Sequence, residues 1–354
     1  MSKVLIALSG GVDSAVTAML LKEQGYDLVA ATMSVLPPGS HQTCANQEDL
    51  DMARQLAADL HIPFELCDYQ AEFRQRVIEP FATAYEEGLT PNPCVECNRL
   101  MKFDLLYQLA DQLGCDKVAT GHYVQVKQDP ETGRWLLYRA TDRHKDQSYV
   151  LYSLSQGQLS RSLFPLGSLS KEEVRQLAHQ AHLANQDKAE SQDICFIPDG
   201  DYVRFLEDYR GEAYPPGDFV NLQGEVLGQH KGLVAYTVGQ RRGLGLAHTE
   251  PWYVYRLDKE KNQVVLAEKA DLICRGLIAD RVNLVSVAAI EGEMEVEAAC
   301  RYHEKPVPAR VKALGQDRVQ VTFAEDHKMV APGQSMVMYQ GDLLVGGGRI
   351  VEAF

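Results

Sequence analysis

Apolar runs and amphipathic stretches alternate along the first half of the chain. "KVLIALS" (3–9) is a continuous apolar run, and "SAVTAMLLKEQG" (14–25) repeats its apolar residues at helical spacing and stops at a glycine. "DLVAATMSV" (27–35) is a second apolar run. Together they predict a strand, a crossover helix and a parallel strand. "NQEDLDMARQLAADLH" (46–61) then reads as a helix, "IPFELCDY" (62–69) as a strand, "RLMKFDLLYQLADQLG" (99–114) as one amphipathic helix and "CDKVATGHYV" (115–124) as a strand. "LSKEEVRQLAHQAHL" (169–183) is a helix with Ser170 as N-cap and Glu173 at the capping-box position. The expected fold is α/β, a doubly wound parallel sheet over residues 1–203.

After Cys195 the pattern changes. "YPPGDFVNLQGEVLGQHKGL" (214–233) places Pro-Gly and Gln-Gly turn signals between short apolar runs. A small β-rich central domain is expected over 204–275. From 276 to 354, "VEAACRYH", "VPARVKAL", "RVQVTF", "QSMVMYQ" and "LLVGGGRIV" alternate as short strands, which predicts a C-terminal β-barrel. No internal repeat or low-complexity tract interrupts this order.

Composition adds bounds. The 354 residues are 45% hydrophobic and 24% charged, a folded-protein profile too long for one ordinary domain. No apolar run is long enough to span a bilayer, and neither a signal nor a transit pattern precedes the first strand, so no membrane partner and a cytoplasmic location are expected. The net charge of −14 argues against nonspecific nucleic-acid binding but leaves local basic patches free to recognise RNA. Eight cysteines in a reducing compartment are not a disulfide framework; most are expected to be buried small hydrophobes.

"SGGVDSA" (9–15) stands where the first strand ends. Glycines there let backbone N–H groups approach an anion, and the next helix N-terminus adds its dipole. Asp13 among them serves either a Mg²⁺ ion or a loop-fixing hydrogen bond. The stretch is neither G-x-x-x-x-G-K-[ST] nor G-x-G-x-x-G. S-G-G-x-D-S resembles the pyrophosphate loop of the N-type ATP pyrophosphatases, which activate a carbonyl oxygen by adenylation. The loop leaves the nucleophile open. No glutaminase module is apparent as a source of ammonia, and thiolates are the other choice.

The Cys-x-x-Cys of "TPNPCVECNRLMKFD" (90–104) fits a zinc knuckle, half of an iron–sulfur site, a dithiol pair or a catalytic thiol. Cys97 stands just before the predicted helix, whose N-terminus would lower its pKa, with Arg99 and Lys102 adding positive charge. Cys195, in "KAESQDICFIPDGDY" (188–202), is expected at the end of a buried strand.

In order, "SGGVDS", "TPNPCVECNRLMKFD", "ATGHY", "KDQSY", "ESQDICFIPDGDY" and "TVGQRRGLGL" resemble the motifs of the tRNA-specific 2-thiouridylases, the MnmA family, over essentially the whole chain. The resemblance implies ATP-dependent 2-thiolation of the wobble uridine in lysine, glutamate and glutamine tRNAs. It implies Cys195 as the persulfide carrier and Cys97 as the partner thiol, able to form a disulfide with it. Ala7, Leu8, Ser9, Gly10, Gly11, Val12, Asp13, Ser14, Met33 and Gly121 fall at its nucleotide site. Asn92, Pro93 and Cys94 fall against the target base, and His122, Lys145, Asp146, Gln147, Arg301, Tyr302 and Gln334 where the family contacts tRNA. ATP with Mg²⁺ is the expected cofactor, and a cysteine desulfurase or sulfur carrier protein the expected partner.

Two positions depart from the family pattern. Ala15 replaces a second serine, and Cys94 stands where many members carry Asp. The second change sets three thiols, Cys94, Cys97 and Cys195, as ligands for a 4Fe–4S cluster with one open iron, alongside the persulfide scheme. The rival functions are an amide-forming ATP pyrophosphatase and a noncatalytic tRNA- or nucleotide-binding protein. Arg143, His144 and Lys145 beside Tyr149, and Arg241 with Arg242 at a glycine-flanked turn, are candidate basic patches.

Overall fold

The computed structural model describes residues 2–37, 47–186, 194–246, 250–315 and 317–354. Cys44 and the stretch 188–193 of the Cys195 motif lie outside them. Contacts group the chain into two units: residues 1–78, 94–200 and 342–344, and residues 79–93, 201–341 and 345–354.

The first unit opens as the apolar pattern predicts. Strand β1 (Lys3–Ala7), helix α1 (Val12–Glu23), strand β2 (Asp27–Ser34), helix α2 (Gln47–Asp59) and strand β3 (Phe64–Asp68) follow in turn. Helix α3 (Gln70–Phe73) runs through a π-helical turn at 74–78 into α4 (Glu79–Glu86), and α5 (Pro93–Cys97) through another at 98–102. Then come α6 (Leu105–Gln112), β4 (Lys117–Ala119), the hairpin β5 (Val124–Gln128) and β6 (Trp135–Arg139), α7 (Gln156–Arg161), β7 (Ser162–Leu163) and α8 (Lys171–Gln180). The sheet order is β3-β2-β1-β4-β7, and every pairing is parallel. Val4, Leu5 and Ile6 are fully buried, as a strand covered on both faces requires. The strand order reverses between β1 and β4, so the crevice at their carboxyl ends is where such a sheet takes a ligand.

In the second unit, helix α9 (Tyr202–Arg210) precedes the strands, a departure from the mostly β segment expected from 204. Its N-cap Asp201 accepts from the Arg204 N–H, and Gly211 ends it in the left-handed region. Arg210 of α9 reaches Glu79 and Glu86 of α4 at 2.8 and 2.7 Å, and Tyr85 stacks on Tyr202 with ring centroids 4.6 Å apart. These contacts hold α4 in this unit. Strands β8 (Gly217–Val220), β9 (Val226–His230), β10 (Tyr253–Asp258) and β11 (Gln263–Ala267) form a sheet in the order β10-β11-β8-β9.

Strands β12 (Ile273–Leu284), β13 (Glu293–Ala299), β14 (Val307–Gly315), β15 (Arg318–Lys328), β16 (Ser335–Gln340) and β17 (Leu343–Ala353) follow in the order β12-β15-β14-β13-β16-β17, and β12 pairs β17 to close a six-stranded barrel. Buried and exposed positions alternate along β14 and β15, and Leu277, Val311, Val321, Met336, Met338 and Val345 fill the interior.

Candidate active site

A pocket of about 290 Å³ opens at the carboxyl ends of β1 and β4 in the first unit. Its phosphate-loop wall is held by its own hydroxyls. Ser14 Oγ donates to the Gly11 carbonyl at 2.9 Å and takes the Ser9 N–H at 3.2 Å, and Thr17 Oγ1 donates to the Asp13 carbonyl at 2.7 Å. Gly10 sits at φ +73°, and a Cβ there would stand 2.5 Å from the Asp49 carbonyl oxygen, so both conformation and space demand glycine. Helix α1 begins one residue after Gly11, presenting its free N–H groups at this wall.

Asp13 is the anchor of the loop. One carboxylate oxygen accepts from Tyr123 OH and from Lys171 Nζ, each at 2.7 Å, and Lys171 is only 9% exposed. Of the two roles open to Asp13, this geometry realises the loop-fixing one. Asn185, also buried, donates to the Gly10 carbonyl at 3.0 Å. Lys171, Tyr123 and Asn185 were not singled out from sequence. The capping box that marked Ser170 and Glu173 is formed, but it says nothing of the lysine between them.

The opposite wall brings Cys97 and Cys195 to the same pocket, with Lys102, His122 and Gln147. Of the residues expected at the nucleotide site, Ala7, Leu8, Ser9, Asp13, Ser14, Met33 and Gly121 line it, while Gly10, Gly11 and Val12 do not. Cys94 is exposed and does not line it. Asn92 and Pro93 belong to the second unit, as do Arg301, Tyr302 and Gln334.

Three sequence expectations around the thiols are corrected. Residues 99–114 are not one helix: the π turn at 98–102 ends at Phe103, whose N–H donates to the Asn98 carbonyl, and α6 restarts at Leu105. Cys97 does not precede a helix but ends α5, because Pro93 opens that helix at its first position. Burial therefore wins over any helix-terminal field, pushing the Cys97 thiol up to about 12; Lys102 pulls it back, and Cys195 and Cys94 push it further up. Cys195 lies in a turn next to buried Phe196, whose ring meets Phe73 edge-on at 5.7 Å, and not at a strand end.

His122 shares a 2.7 Å hydrogen bond between its Nδ1 and Thr120 Oγ1, and burial, with the Lys102 charge second, holds its pKa well below the ordinary histidine value. It is a neutral imidazole at neutral pH. Gln147 Oε1 accepts from the Tyr123 N–H at 3.0 Å. Asp146 is spent on its own loop, accepting from Ala140 N–H at 3.0 Å and Ser148 Oγ at 2.8 Å. Arg143 pairs with Asp342. Arg301 reaches the Met329 carbonyl at 3.4 Å, and Tyr302 stays exposed.

Cys94, Cys97 and Cys195 lie near enough for their charges to act on one another. Among the described residues, however, no three His, Cys, Asp or Glu side chains converge on one metal position. No helix among them is long and apolar enough to cross a membrane.

Known proteins share this architecture. Residues 2–199 match the family model described as a tRNA methyl transferase HUP domain, 203–268 a tRNA methyl transferase PRC-barrel domain, and 274–350 an aminomethyltransferase beta-barrel domain. The tRNA-specific 2-thiouridylase MnmA of Carboxydothermus hydrogenoformans is 46% identical, covering 98% of this chain and 97% of that protein. The protein of the same name from Geobacter metallireducens is 47% identical, covering 99% and 97%. Among solved structures, the U34-tRNA thiolase NcsA from Methanococcus maripaludis with its 4Fe–4S cluster overlaps 59% of this chain and 66% of its own, at 21% identity and a TM-score of 0.36. With near-complete coverage at 46–47% identity behind it, the chain belongs to the family of tRNA-specific 2-thiouridylases, MnmA.

Proposed function

We propose that the chain is an ATP-dependent tRNA sulfurtransferase that makes 2-thiouridine at the wobble position of lysine, glutamate and glutamine tRNAs. The observation that carries this reading is the meeting of the Ser9–Ser14 loop with Cys97 and Cys195 in one pocket. ATP with Mg²⁺ would lie with its phosphates along the loop and the start of α1, the metal held mainly by phosphate oxygens and water. The uridine C2 oxygen attacks the α-phosphorus and pyrophosphate leaves. The terminal sulfur of a Cys195 persulfide then attacks C2, and AMP leaves with the oxygen. Cys97 thiolate attacks the inner sulfur, the sulfur–sulfur bond breaks, and a Cys97–Cys195 disulfide is left for an external thiol to reduce. A cysteine desulfurase or sulfur carrier protein reloads Cys195.

In this reading Asn92, Pro93 and Cys94 face the target base, and His122, Lys145, Asp146, Gln147, Arg301 and Tyr302 meet the tRNA. Arg241 and Arg242, exposed between the left-handed Gly239 and Gly243, add phosphate contacts. The working domains are 1–203, 204–275 and 276–354, and the enzyme acts in the cytoplasm. The alternative sulfur source is a 4Fe–4S cluster on Cys94, Cys97 and Cys195. The test is unmodified glutamate tRNA, ATP and sulfide under anaerobic conditions, scored for 2-thiouridine, AMP and pyrophosphate. No thiolation with any sulfur donor overturns the function. Full-rate thiolation by protein without iron absorption removes the cluster.

A further inference from the structure

Gln334, placed by family resemblance among the tRNA contacts, has its amide nitrogen occupied by protein. Its Nε2 donates to the Thr90 carbonyl at 3.0 Å and to the Pro91 carbonyl at 3.3 Å. Two carbonyl acceptors fix which end of the amide faces them. The contact is one of a set. The Thr90 N–H donates to the Pro332 carbonyl at 2.8 Å. Gly333 sits between them at φ +94°, where a Cβ would stand 2.9 Å from Thr90 N and 3.0 Å from Thr90 O. The turn is itself pinned to β17, since Gly333 N–H donates to the Ile350 carbonyl and Ile350 N–H to the Gln334 carbonyl, both at 2.8 Å. On its other side the segment is tied to α4 by the Leu89 N–H on the Ala84 carbonyl at 2.8 Å. Backbone, side chain and the missing Cβ therefore all serve the same docking.

We propose that Gln334 and Gly333 are positioning residues: the barrel turn 332–334 latches the backbone of Thr90 and Pro91 and so sets the conformation of Asn92–Pro93, which continue covalently into Cys94 and Cys97. This rests on the reading above only for what Asn92–Pro93 do; the latch itself rests on the distances. A side chain that contacts tRNA directly contributes to tRNA affinity. A latch contributes to the rate once tRNA is bound.

The experiment uses the full-length protein with Gln334→Ala and, separately, Gly333→Ala, which removes no RNA-facing group. The readouts are hydrogen exchange at the Thr90 amide, tRNA dissociation constant, and single-turnover thiolation at saturating tRNA. The expected result for Gln334→Ala is about ten- to thirtyfold faster Thr90 exchange, as for losing two modest hydrogen bonds. Saturated thiolation falls about tenfold while the dissociation constant stays within about twofold. Gly333→Ala moves the same readouts in the same direction; should it not fold, Gln334→Ala decides alone. Unchanged Thr90 exchange in Gln334→Ala overturns the latch, and so does weaker tRNA binding at an unchanged saturated rate. Should the wild-type protein make no 2-thiouridine, the functional reading fails while Thr90 exchange still decides the latch.

Discussion

The two walls of the pocket are built on opposite plans. The loop wall comes from consecutive residues, and its side chains are hydrogen-bonded before any ligand arrives, Ser14 on Gly11, Thr17 on Asp13, Asp13 on Tyr123 and Lys171, which leaves the N–H groups at the start of α1 for a ligand. Its donors therefore cost little reorganisation when phosphates enter. The thiol wall comes from residues far apart in the chain, and its partner thiol, Cys97, rests protonated, its ionisation opposed by desolvation. One wall is prepared for charge already; the other is kept inert until charge reaches it. A half-buried thiol that ionises reluctantly is also a slow nucleophile toward stray oxidants.

This contrast can be broken by experiment. Cys195→Ser and Cys97→Ser should each lower thiolation by about 10³-fold or more while leaving ATP affinity within about twofold. A variant that keeps its rate would show the thiol wall to be bystander packing. Asp13→Ala strands the buried Lys171 ammonium and should cost roughly 2–3 kcal/mol of stability, below a fully buried pair because Asp13 is 31% exposed. It should also weaken ATP binding. Asp13→Ala combined with Lys171→Met should recover part of the stability, and a strictly additive cycle would dissolve the anchor.

Alkylation of Cys97, followed with Cys94 and Cys195 replaced by serine, should rise about tenfold per pH unit from 7 through 10 without levelling. A plateau near 9 would mean that burial does not govern this thiol. The smallest effect belongs to His122. Its folded pKa lies below the unfolded value, so the unfolded chain binds the proton first as pH falls. The stability it contributes is complete above about pH 6.5 and is lost as pH falls below that, at no more than about 1.4 kcal/mol per pH unit. Urea midpoints at pH 7.5, 6.5 and 5.5 should show this slope in wild type and a flatter one in His122→Asn.

The same contrast explains what the sequence makes legible. The β1–loop–α1 unit and the Ser170 capping box are local, so spacing alone reveals them. The barrel strands follow from alternation. What escaped is long-range or competitive. Lys171, Tyr123 and Asn185 reach the loop from 158, 110 and 175 residues away, and no window of sequence couples them. The break of 99–114 escaped because Pro93 starts the helix early and a π turn absorbs the extra residue, leaving the amphipathic period intact. The raised Cys97 thiol escaped because charge near a cysteine can be read in sequence, whereas desolvation cannot.

The discontinuity of the second unit has a consequence for synthesis. Residues 79–93 pack with 201–341, so 108 residues (201 − 93) must be translated before the first of their partners exists. At about 5–20 residues per second, that interval is roughly 5–20 s. Through it α4 waits without the α9 rings that meet it, since Phe205, the partner of Phe81, and Tyr202, the partner of Tyr85, have not been made. The pocket of the first unit has all its lining residues once Cys195 is made, whereas Thr90 and Pro91 wait for Gln334, so the two regions are completed on separate clocks.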